Sequence, residues 1–63
     1  MEKLKNFRKS KGLSQEGMAS KLGITLSMYE KVENGRAGVS SKFMRKFKQV
    51  FPEESIDNIF FSH

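Results

Sequence analysis

The stretch from Gln15 to Asn34, QEGMASKLGITLSMYEKVEN, admits few folds, because it carries helical periodicity on both sides of a single glycine, Gly23. Met18, Ala19 and Leu22 fall on one face at the i, i+1, i+4 spacing of an amphipathic helix, and Ser14 stands where an N-cap would. Beyond Gly23 the inward side chains are Ile24, Tyr29 and Val32, Thr25 offers a second N-cap, and Leu26, Ser27, Glu30, Lys31 and Asn34 share the opposite face. Glycine can take the positive φ of a sharp reversal, and Ala19 is small enough for two helices to approach closely in a steep crossing. The pattern predicts a helix-turn-helix whose second helix carries an outer face that internal packing does not use.

The remaining elements follow from their stops. Residues 2 to 11 read as a first helix with Leu4 and Phe7 inward, ended by Gly12 at the C′ place with Leu13 as its apolar contact. Gln15 to Leu22 is the second helix and about 26 to 34 the third. After a loop with two glycines, Gly35 to Val39, Ser40 caps a fourth helix over 41 to 51, with Phe43, Met44, Phe47, Val50 and Phe51 as its stripe and Pro52 as its end. Ser55 begins a short fifth helix that closes the core with Ile56, Ile59 and Phe60. At 63 residues the expectation is one all-α domain over 1 to 63, a compact five-helix bundle. Six phenylalanines and Tyr29 could form a stacking surface for unpaired bases, but at helical spacing they read as core. Phe61, following Phe60, cannot share its face, and is either a dimer contact or a frayed end.

Charge narrows the partner. All twelve Lys and Arg lie in residues 1 to 51 against four acids, whereas residues 52 to 63 hold three acids and no base. Such a local excess suits a polyanion, with a salt-sensitive attraction to phosphates, although a solvated surface would carry the same charge. The chain has no cysteine and its one histidine is His63, so neither a thiolate metal site nor a cofactor site is expected. No glycine-rich phosphate loop of P-loop or Rossmann spacing is present, which argues against an enzyme. No apolar run is long enough to span a membrane and no signal peptide is indicated, so the expected location is cytoplasmic.

Counting Gln15 as the first place of a twenty-residue helix-turn-helix unit, Met18, Ala19, Leu22, Gly23, Ile24, Tyr29 and Val32 all match the unit's pattern of small, glycine and apolar places. With Arg8, the run Gly12 to Gln15 and the run Glu33 to Gly35, these residues resemble the Cro and lambda-repressor type of phage and bacterial regulators, the Xre family, over about residues 2 to 60. Two departures stand out. Gly17 replaces the acid that would complete a capping box with Ser14, and the proline often found near Val39 is missing, which suggests a less rigid turn.

The resemblance implies sequence-specific binding to double-stranded DNA by a small transcriptional regulator, a repressor, with the recognition helix in the major groove. It also implies a partly buried ion pair between Arg8 and Glu33; on the residues alone, two ordinary surface charges would read the same. By position, Leu26 is set to touch a thymine methyl, Ser27 to pair with several bases, and Lys31 to donate to guanine O6 or N7. Glu30 either accepts from cytosine N4 or faces solvent and repels wrong phosphate registers. Gln15, Thr25, Asn34, Arg36 and Lys42 are assigned to the sugar-phosphate backbone, while Thr25 also caps its helix and Asn34 equally ends one. One module contacts few base pairs, so a homodimer on a near-palindromic operator is expected, joined through the fourth and fifth helices by Phe61 and Val50 or Phe51. No small-molecule ligand is expected. The rival function is an antitoxin or adaptor that uses the same fold, with the acidic, apolar tail of residues 53 to 61 gripping another protein.

Overall fold

Leu4 and Phe7, three residues apart, pin the first helix to the rest of the chain. In the computed structural model, which describes residues 1 to 61 and the side chains of residues 1 to 60, four α-helices follow one another. They are α1 (Glu2–Ser10), α2 (Gln15–Leu22), α3 (Leu26–Glu33) and α4 (Ser41–Val50), and a closing π-helical turn, Asp57–Phe61, ends the described residues. The described residues contain no strand, and no helix is long and apolar enough to cross a membrane.

The caps stand where the sequence sets them. Ser14, Thr25 and Ser40 each accept a hydrogen bond from the backbone N–H three residues on, at Gly17, Met28 and Phe43. Gly17 therefore completes the Ser14 cap with its backbone, without the returning side chain of a capping box. Gly12 and Gly23 both sit in the left-handed region, at φ +70° and +72°, and a side chain at Gly23 would meet only the far end of Lys46, 3.8 Å away. Conformation, not crowding, is what requires glycine in that turn. α4 stops at Val50, one residue short of the expected end, because Pro52 disfavours helical backbone at Phe51, which lies at φ −124°.

α2 packs against α3 and α4, and α1 packs against α3 and the closing turn. Between them lies a core of Leu4, Phe7, Met18, Ala19, Leu22, Tyr29, Val32, Phe43 and Phe47, all buried. Ile56, Ile59 and Phe60 cover it as expected, and Ser55 accepts from the Asn58 N–H, but the segment winds as a π turn and not as an α-helix. The α4 stripe is narrower than expected. Phe43, Phe47 and Val50 share one arc, and Met44 lies about 60° beyond its edge, where it is only half-buried; a small bundle buries one arc of an outer helix.

The expected dimer surface is also reduced. Val50 and Phe51 are packed against the core, Phe51 with its ring 4.9 Å from Phe7 and 5.1 Å from Phe47. The side chain of Phe61 and residue His63 lie outside the described residues. No aromatic platform for bases forms among the described side chains, since Phe7, Tyr29, Phe43 and Phe47 are buried and Phe51 and Phe60 are packed against them.

Candidate functional site

α3 has one buried edge and one open one. Tyr29, Val32 and Glu33 point inward, while Leu26, Ser27, Met28 and Lys31 are exposed, Leu26 at 40% and Met28 at 49%. Glu30 lies between them, half-buried. Exposing two large apolar side chains on one helix runs against burial, and they lie beside an exposed hydroxyl and an exposed ammonium.

At the N-terminal end of α3, Gly23, Ile24, Thr25 and Met28 face Ser40, Lys42, Phe43 and Lys46 of α4 across a cleft of about 360 Å³. Tertiary packing thus brings Lys42 to the same cleft as Thr25. Lys46 and Met28 also line this cleft, a placement that sequence does not give. Lys46 was legible only as the residue one turn after Lys42, and Met28 only as an apolar residue on the outer face. At the opposite end of α3, Asn34 is the C-cap and the Arg36 N–H donates to the Lys31 carbonyl at 2.8 Å, so both sit beside the helix terminus. Gln15 joins them there. Its Nε2 donates to Glu33 Oε1 at 3.0 Å, a partner that sequence reasoning, which turned Gln15 wholly outward, did not anticipate.

Glu33 is the anchor of α3. The Arg8 guanidinium binds it in a fork, Nε to Oε2 at 2.9 Å and Nη2 to Oε1 at 3.1 Å, and Arg8 Nη1 donates to the Leu13 carbonyl at 2.8 Å. Tyr29 donates its hydroxyl to Glu33 Oε2. The pair is buried, with 8% of Arg8 and 4% of Glu33 exposed, so the reading of two surface charges is excluded. One carboxylate therefore takes hydrogen bonds from α1, α2 and its own helix, and no buried side-chain polar atom among the described residues lacks a partner.

Burial alone would raise the Glu33 carboxyl, but hydrogen bonds from Arg8, Tyr29 and Gln15 outweigh it and hold the group at about 2. Arg8 is raised, chiefly by its hydrogen bonds to Glu33, and Tyr29 is raised by burial and by donating to the same carboxylate. The folded carboxyl thus titrates below its ordinary value of 4.5. Its contribution is complete above that value and disappears as the pH falls toward 2, about 3 kcal/mol in all. Urea midpoints measured across this range should fall steeply for the native chain. A Glu33→Gln chain, weaker at neutral pH, should fall less; equal acid dependence of the two would place the acid sensitivity elsewhere.

Comparison with known proteins follows the same outline. The helix-turn-helix family profile matches residues 4 to 57. Over 49 residues the chain is 45% identical to the SPbeta prophage-derived uncharacterized HTH-type transcriptional regulator YonR of Bacillus subtilis (strain 168), an overlap of 78% of this chain and 45% of that protein. The chain thus matches less than half the length of this relative. No solved structure gives a significant match.

Proposed function

The chain belongs to the Xre-type helix-turn-helix family, and from that premise we propose that residues 1 to 63 act as one module that binds double-stranded DNA in a sequence-specific way as a transcriptional regulator. In this reading α3 lies in the major groove. Leu26, Ser27 and Lys31 read bases, with the half-buried Glu30 at their edge, while Gln15, Thr25, Asn34, Arg36 and Lys42 hold the backbone.

The observation that carries it is the distribution of these groups along α3. Thr25 and Lys42 line one cleft at its N-terminal end, and Gln15, Asn34 and Arg36 lie at its C-terminal end. Eight residues of helix span about 12 Å, close to the width of the major groove, so groups at the two ends suit the phosphates on its two walls. Between them the exposed side chains are short or apolar apart from Lys31, which favours recognition through thymine methyls and DNA shape over a dense hydrogen-bonding code. The regulator named on the family relative accords with this reading. Repression is the simpler action, because occluding a promoter needs no surface beyond the one that holds DNA. Two copies on a near-palindrome would double the contact set.

Selection of bound sequences from a random duplex pool tests the whole reading. The expected product is an inverted repeat with half-sites about 10 base pairs apart centre to centre. Repeating the selection with Lys31→Ala should relax one position of each half-site, with a loss of about 1 to 3 kcal/mol on the original sequence. An unenriched pool would overturn sequence-specific binding, and an unchanged preference would remove Lys31 from the base-reading set. Capture of a host protein together with salt-sensitive, sequence-blind DNA binding would favour the adaptor.

A further inference from the structure

Among the assigned phosphate contacts, Thr25 uses its hydroxyl to cap its own helix, whereas the Gln15 side chain is engaged with a residue of a different helix. A carboxylate only accepts, so the amide group facing Glu33 must be the nitrogen, and Nε2 lies 3.0 Å from Glu33 Oε1. That leaves a second N–H on the same nitrogen, at a side chain that is only half-buried. The carboxylate in turn is fixed by the Arg8 fork and by the Tyr29 hydroxyl. We infer that Glu33 is a positioning residue for DNA binding: it holds the Gln15 amide with one N–H turned inward and the other free to donate to a backbone phosphate. The inference rests on the DNA reading above.

The physical gain is pre-organisation. A glutamine free in solvent samples many rotamers, and ordering it on binding subtracts from affinity. Here the ordering is completed when the chain folds, by a partner on α3 rather than on α2. The phosphate contact on α2 is thereby registered to the end of the helix that reads bases, so both report one rigid geometry.

Charge makes the test decisive, because Glu33→Gln removes a negative charge. Long-range attraction to a polyanion would then tighten binding, whereas loss of positioning weakens it. Affinities should be measured per folded molecule for the native chain, Gln15→Met, Glu33→Gln and the double variant, on a duplex recovered by the selection above. Each single variant is expected to bind about three- to tenfold more weakly, and Glu33→Gln to cost nothing further in the Gln15→Met background. Tyr29→Phe, which takes one donor from the same carboxylate but leaves the Arg8 fork and the Gln15 bond in place, should lower stability and weaken binding per folded molecule less than Glu33→Gln does. Unchanged or tighter binding by Glu33→Gln, or a full effect persisting without Gln15, would overturn the proposal while leaving DNA binding intact.

Side-chain nitrogen relaxation in the native chain supplies a measurement that needs no variant to fold. The Gln15 amide should be markedly more rigid than that of the exposed Gln49, and equal mobility would overturn the proposal. A native chain that binds no duplex would remove the DNA reading and this inference with it, whatever the mobility of Gln15.

Discussion

Glu33→Ala should cost the chain about 3 to 5 kcal/mol of stability at 25 °C and neutral pH. The substitution deletes one carboxylate but orphans three donors, the Arg8 guanidinium, the Tyr29 hydroxyl and the Gln15 amide. Breaking a buried ion pair from one side costs about 3 to 5 kcal/mol, because the remaining charge is left in a site built to exclude water. A domain of this length has a total stability of about 3 to 9 kcal/mol, so the loss is a third of the reserve or more. The size of the effect is the cost of leaving Arg8 unpaired and does not measure the net value of the pair. Replacing both members with apolar residues, Arg8→Met with Glu33→Leu, should therefore be less damaging than Glu33→Ala alone. Urea unfolding followed by circular dichroism checks both. A Glu33→Ala chain within 1 kcal/mol of the native one, on the scale of an exposed pair, would mean that water reaches the site.

The same network marks the boundary of what sequence could give. The α2–α3 unit was legible because it depends on local chemistry: a hydroxyl before each helix, an apolar period, and a glycine at φ +72° where the chain reverses. The Arg8 to Glu33 pair came only through family resemblance, since nothing in either residue's neighbourhood announces a partner 25 positions away. Tyr29 was read as apolar, yet its hydroxyl finds Glu33 four residues on along the same helix face; that contact was within reach of spacing alone. Gln15 was not within reach, because opening a helix points a side chain outward by default, and only the crossing of α2 and α3 returns it to Glu33. The cleft that Lys46 and Met28 line escaped for a related reason. Their cleft exists only where α4 lies against the start of α3, and side chains that meet across two helices leave no period in either.

Phe47 shows how the far side of the bundle supports the open one, and Phe47→Ala should be as damaging as the loss of Glu33. Its side chain is fully buried, and its ring centre lies 5.4 Å from Phe7, 5.1 Å from Phe51 and 5.2 Å from Phe60. It therefore joins α1, the end of α4 and the closing turn. Truncating a buried phenylalanine costs about 3 to 5 kcal/mol, and three surrounding rings held on separate elements cannot easily collapse into the gap. Phe47→Leu keeps most of the volume and should cost less than about 1.5 kcal/mol. The contrast bears on function because Phe43 and Phe47 seat α4 in the core and so fix where the neighbouring Lys42 and Lys46 stand along the cleft that Thr25 also lines. Equilibrium unfolding should rank native, Phe47→Leu and Phe47→Ala in that order. Equal stability of the two variants would show that the core can relax around the lost ring, and that α4 is held in place by contacts other than this aromatic cluster.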